Sequence, residues 1–169
     1  MALLWKRLNI FKFHTFSPEE TMRLAGFFAK FAKGGEVYLL EGMIGTGKTV
    51  FVKGFAKALG SADTPVSASF NLMKTYRARL NIHHFDLFRI KEADIANLGI
   101  EDYINRKDGV LIIEWASPSK KLFSQENFFE FEMFLEKGDE RKIIASASGG
   151  QQRRALDAVK NLWTGRESQ

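Results

Sequence analysis

Met22, Leu24, Ala25, Phe28 and Phe31 recur at roughly helical spacing. Ser17-Pro18-Glu19-Glu20, just before them, joins a capping hydroxyl, a proline suited to a first helical turn and a glutamate three residues after the cap. The pattern predicts a helix there, ended by Gly34-Gly35. Val37, Tyr38, Leu39 and Leu40 then form a nearly continuous apolar run, which suits a strand covered on both faces in a parallel sheet. A glycine loop follows, and Val50, Phe51, Phe55, Ala56 and Leu59 return to helical spacing until Gly60.

Residues 61–65 read as a linker. Residues 70–76 and 81–88 read as two strands of a hairpin, and residues 91–98 as a short helix. Val110 to Ile113 form another fully buried strand that ends at Glu114, before Ser117-Pro118 breaks the pattern. Phe129, Phe131, Met133 and Leu135 alternate with Glu130, Glu132 and Phe134, and Lys137-Gly138-Asp139 turns this strand back into residues 141–147. Residues 154–163 suit a last amphipathic helix before a frayed polar tail. Buried strands alternating with helices predict an α/β sandwich with a mostly parallel central sheet plus antiparallel strands, in one domain over residues 1–169.

Composition narrows the function classes. Apolar residues make up 45% of the 169 positions and Phe occurs 16 times, which is ample material for a core and excludes an unfolded chain. No apolar run approaches the roughly 20 residues that a membrane helix needs. Residues 1–14 carry Lys6, Arg7 and Lys12 without a signal-like apolar stretch, so a cytoplasmic protein is expected with no membrane partner. The absence of cysteine excludes disulfides, zinc-thiolate sites and thiol nucleophiles. The net charge of +5 permits an anionic partner such as nucleotide or RNA. Lys6-Arg7, Arg141-Lys142 and Arg153-Arg154 suit nucleic-acid phosphates. No aromatic-interleaved motif accompanies them, and they read as solvated surface.

Gly42-Met43-Ile44-Gly45-Thr46-Gly47-Lys48-Thr49 matches the phosphate-loop pattern G-x-x-x-x-G-K-[ST] without a gap. A random chain of this length would match in roughly one case in a hundred or fewer. The match also follows a buried strand and opens a helix, as the pattern requires. Glycines let successive N–H groups turn toward a polyphosphate while the helix aims its positive end at the same charge. Lys48 supplies a mobile cation, and the Thr49 hydroxyl suits Mg²⁺. Two acids stand at strand ends, Asp86 and Glu114, and either suits metal binding or orientation of the attacking water. His84 and Asp86 share one strand face. With no further ligand in sight, His84 reads as a structural histidine.

The phosphate loop, the segment Ser67-Ala68-Ser69-Phe70, the run His84-Phe85-Asp86-Leu87-Phe88-Arg89, Gly99-Ile100-Glu101-Asp102-Tyr103 and Ile113-Glu114-Trp115 together resemble the TsaE family, ATPases of tRNA threonylcarbamoyladenosine biosynthesis, over residues 17–145. The resemblance implies the fold of a phosphate-loop NTPase in three layers. It implies ATP and Mg²⁺ as cofactors, and a partner complex of TsaB and TsaD that attaches threonylcarbamoyl to adenosine 37 of tRNA. The chain would reset that complex by hydrolysing ATP, slowly when alone, and would meet tRNA only through it. Carried over by position, the eight loop residues with Val50, Ser69 and Trp115 would contact nucleotide. Thr49 and Glu114 would serve the metal, and Glu114 and Asp86 catalysis. Residues 67–70 would form a switch near the γ-phosphate. The chain departs from the family at Met43, commonly acidic, at Ser67-Ala68-Ser69, commonly Ser-Pro-Thr, and at Phe88, commonly Tyr. These changes imply a smaller effect on affinity than on turnover. Two other readings remain, a nucleotide-sensing interaction module with negligible hydrolysis and a small-molecule kinase; the kinase lacks an arginine-rich lid segment.

Overall fold

A computed structural model describes residues 9–67, 71–123 and 127–165. Its elements in chain order are β1 (Asn9–Thr15), α1 (Pro18–Phe31), β2 (Val37–Glu41), α2 (Lys48–Ala58), β3 (Met73–Tyr76), β4 (Asn81–Asp86), β5 (Gly109–Glu114), β6 (Phe128–Leu135), β7 (Arg141–Ser148) and α3 (Gly150–Thr164). Three 3₁₀ segments, Glu92–Asn97, Ile100–Tyr103 and Ser117–Phe123, fill the connections around β5.

One seven-stranded sheet runs in the order β1-β7-β6-β2-β5-β4-β3. Its middle is parallel, through the β2–β5, β2–β6 and β4–β5 pairs, and its flanks are antiparallel. This is the expected α/β architecture. Side chains of β2 alternate between faces: Tyr38 and Leu40 join the core beneath the helices, while Val37 and Leu39 join a second cluster on the opposite side. The helical face is aromatic. Phe28 of α1 packs edge-on against Phe129 and Phe131, with ring centroids at 5.5 and 4.9 Å, and Tyr38 stacks on Phe129 at 5.0 Å. The opposite face is more aliphatic and is roofed by the 3₁₀ segments through Ile95, Ile100 and Phe123, so the third layer contains no full α-helix among the described residues.

The two long helices near the loop are held close. A Cβ on Gly54 of α2 would lie 2.2 Å from the Met22 carbonyl oxygen of α1, a separation only glycine permits. The α1 cap is as the sequence predicts at its start: Ser17 Oγ accepts from the Glu20 amide at 3.2 Å, and the Glu20 carboxylate reaches back to the Phe16 amide at 2.8 Å.

Several boundaries differ from expectation. The helix α1 stops at Phe31, before Gly34-Gly35, because the Glu36 carboxylate takes the Lys33 and Gly34 amides at 2.9 and 2.8 Å and holds that stretch in a turn. The strand expected over 70–76 begins at Met73, after Leu72 at φ 59°, and the strand expected over 81–88 ends at Asp86, whose carboxylate captures the Phe88 amide. The helix expected over 91–98 is instead the 3₁₀ segment Glu92–Asn97, and α3 starts at Gly150. The sequence reading missed β1 altogether; Phe11, Phe13 and Thr15 alternate inward with Ile10, Lys12 and His14 outward as the strand pairs with β7. Among the described residues, no helix is long and apolar enough to cross a membrane.

Candidate functional site

The loop between β2 and α2 is shaped from both ends. Leu39 and Leu40 anchor β2 in the two cores, and α2 begins at Lys48 after Gly47 in the left-handed region at φ 101°. No side chain caps this helix and no acid occupies its first turn, so its amide groups and positive dipole end face the cleft directly. The Lys48 ammonium, 5% exposed, donates to the carbonyls of Gly42 and Met43 at 2.6 and 3.0 Å and lies 4.0 Å from the centre of the Trp115 ring. Its burial lowers the lysine pKa, opposed by the carboxylates of Glu114, Asp86 and Glu41.

The two acids meet through sheet register. Asp86 closes β4 and Glu114 closes β5, and the parallel pairing sets them side by side. Thr49 Oγ1 donates to the Glu114 carboxylate, at 2.9 and 3.2 Å from its two oxygens. Ser67 Oγ donates to Asp86 Oδ2 at 3.1 Å, and the Phe88 amide to Oδ1 at 3.1 Å. The fully buried His84 donates from Nε2 to Glu114 Oε1 at 2.9 Å, so the histidine expected to be structural supports this acid. A neutral hydroxyl and two carboxylates are hard oxygen donors, and the set fits Mg²⁺ at Thr49, Glu114 and Asp86.

These groups line a cleft of about 400 Å³, which also takes in Ile44, Gly45, Gly47, Val50 and Trp115. The other loop residues turn elsewhere. Thr46 is buried and its hydroxyl donates to the Met43 carbonyl at 2.9 Å. Gly42 and Met43 border a neighbouring depression with Phe134 and Leu135. Met43 and Ile44 stand 76% and 74% exposed at the tip of the loop. Trp115 holds φ 55°, with its amide bonded to the Leu40 carbonyl at 2.9 Å and its ring 4.9 Å from that of Phe88. Ser69, with Ala68 and Phe70 of the expected switch, lies outside the described residues, as do Lys6 and Arg7.

Arg141 contradicts its reading as solvated surface. It is 8% exposed and lines the cleft, because β7 starts beside the loop once β6 has paired with β2. Lys142, its neighbour, points to the other side and pairs with Glu136 at 3.2 Å. The strand alternation after Arg141 was the available signal. Arg153 is half-buried and Arg154 exposed.

The family profile described as threonylcarbamoyl adenosine biosynthesis protein TsaE matches residues 15–143. A tRNA threonylcarbamoyladenosine biosynthesis protein TsaE of Bacillus subtilis (strain 168) is 36% identical over 143 residues, covering 83% of this chain and 87% of that protein. One of the same name from Rickettsia conorii is 36% identical over 133 residues, covering 77% and 73%. Among solved structures, the crystal structure of Bacillus subtilis YdiB matches with a TM-score of 0.78 and 33% identity, over 92% of this chain and 97% of that one.

Proposed function

This chain belongs to the TsaE family of threonylcarbamoyl adenosine biosynthesis proteins, and from that premise we propose that it binds and hydrolyses ATP to drive a TsaB–TsaD complex through its cycle of tRNA modification. The observation that carries the reading is the meeting of three elements. The phosphate loop opens α2, its Thr49 hydroxyl is bonded to Glu114, and Asp86 stands beside that acid in register. Thr49, Glu114 and Asp86 would hold Mg²⁺, which would supply positive charge to offset that of the phosphates. Lys48, now resting on loop carbonyls, exchanges those weak acceptors for phosphate oxygens, and the free amides of the first turn of α2 hold the same anion. His84 fixes the Glu114 carboxylate so that one oxygen stays oriented as an acceptor for the metal shell or for a water proton. The Trp115 and Phe88 rings line the cleft with apolar surface.

The test is phosphate release from ATP by the purified protein at saturating Mg²⁺, alone and with TsaB and TsaD. Slow release that rises with the partners is the expected result. A second reading, a nucleotide sensor with negligible hydrolysis, draws support from the exposed apolar Met43 and Ile44 at the loop tip, a surface suited to docking. ATP-dependent complex formation without phosphate release would favour it.

A further inference from the structure

His14, Glu136 and Glu140 bring three donor atoms together at the surface, near the end of β1 and around the turn that joins β6 to β7. Backbone pairing sets the meeting. His14 lies opposite Lys142 in the antiparallel β1–β7 pair, and the Glu136 amide donates to the Glu140 carbonyl at 2.8 Å, so the two acids bracket one closed turn. His14 Nδ1 lies 3.4 Å from Glu140 Oε1 and 4.0 Å from Glu136 Oε2. Both approaches are longer than a good N–H···O bond of about 2.7–3.2 Å. The shorter one matches the spacing of about 3.4 Å between two ligands that share a tetrahedral ion at bonds of about 2.1 Å. Lys142 Nζ sits 3.2 Å from the other Glu136 oxygen, Oε1, which leaves Oε2 turned toward the imidazole. That outer contact, and an imidazole among the carboxylates, distinguish the cluster from a chance acidic patch.

By themselves these exposed side chains contribute little, because solvent screens their charges and each long chain loses freedom. We propose that His14, Glu136 and Glu140 form a Zn²⁺ site at the edge of the sheet, outside the nucleotide cleft. One imidazole nitrogen with two carboxylate oxygens suits zinc, whereas Mg²⁺ and Ca²⁺ prefer shells made of oxygen alone. Three protein ligands leave a fourth position for water. The ion ties the first strand to a hairpin near the other end of the chain, a crosslink of the kind that stabilises most by closing a long loop.

The test is calorimetric titration of the chelator-stripped full chain with ZnCl₂ at pH 7.5 in excess Mg²⁺, with melting temperature read alongside. His14→Gln and Glu140→Gln each weaken zinc binding by more than about tenfold, the least that loss of a coordinating group costs. At zinc tenfold above its Kd, the wild-type melting temperature rises by about 3–6 °C, and His14→Gln shows no such rise. Glu114→Gln leaves zinc affinity unchanged. Unchanged affinity in His14→Gln, a loss in Glu114→Gln instead, or a wild-type chain that takes up no zinc overturns the proposal. A second readout needs no variant. The His14 side chain is 45% exposed while His83 and His84 are 4% and 0% exposed, so diethyl pyrocarbonate marks His14, and bound zinc protects it. Equal labelling of His14 with and without zinc overturns the site.

Discussion

Helix α2 stands with one side in an aromatic core and its first turn in a polar cleft, and the two regions treat buried groups in opposite ways. Beneath the helix, Phe51, Phe28 and Phe131 meet ring to ring, and these side chains need only contact. Around its first turn, Lys48, His84, Asp86, Glu114 and Arg141 are all under a tenth exposed, and two of them keep buried nitrogens without a hydrogen-bond partner among the described residues, His84 Nδ1 and Arg141 Nε. Burying such groups opposes folding, so the cleft is carried by the stability of the core. The two regions should therefore respond to substitution through different observables.

The largest expected effect lies in the cleft. Glu114→Gln keeps an oxygen that accepts from His84 and Thr49 and removes only the charge. Phosphate release should fall about 10²- to 10⁴-fold while ATP binding and melting temperature stay near wild type. Unchanged release in that variant would remove Glu114 from the mechanism. Next comes the core. Phe28→Ala opens a cavity beneath Phe129 and Phe131 and should cost about 3–5 kcal/mol in denaturant unfolding. If that variant lost turnover without losing stability, the separation of the two regions would be wrong. Gly54→Ala comes third. A helix interior gains from alanine, but here the methyl meets the Met22 carbonyl, so α1 and α2 must part and net destabilisation of about 1–3 kcal/mol is expected. A stabilised variant would contradict the close approach.

The smallest effect sharpens the comparison within one strand. His83 faces away from His84, toward Tyr103, and burial first, then Arg106, lowers its pKa below the ordinary histidine value. The unfolded chain thus takes up a proton at higher pH than the folded one. Stability is full above about pH 6.5 and declines as pH falls below it. Melting curves from pH 7.5 to 5 should fall, and His83→Gln should flatten that dependence. An equal slope in the variant would place the effect elsewhere.

Much of this division is legible along the chain. The phosphate loop, both acids and the parallel strands beneath them are written in local patterns, because a strand buried on two faces and a glycine loop before a helix each need contiguous residues. What escapes is set by pairing between distant segments. That His84 supports Glu114 depends on how β4 registers with β5, and that Arg141 enters the cleft depends on β6 placing β7 beside the loop. The pattern of β1 was present in Phe11 and Phe13, but a short alternation beside polar residues gains meaning only from the edge it joins.

That edge has a consequence for synthesis. Among the described strands β1 leaves the ribosome before the others, yet its partners in β7 lie roughly 130 residues later, about 6–26 s at ordinary elongation rates. Throughout that interval Phe11 and Phe13 have no sheet to cover and β1 has no neighbour to bond. The nascent chain then carries an unpaired ribbon, and crowding of chains on a busy messenger is a condition that exposes it to pairing with a neighbour.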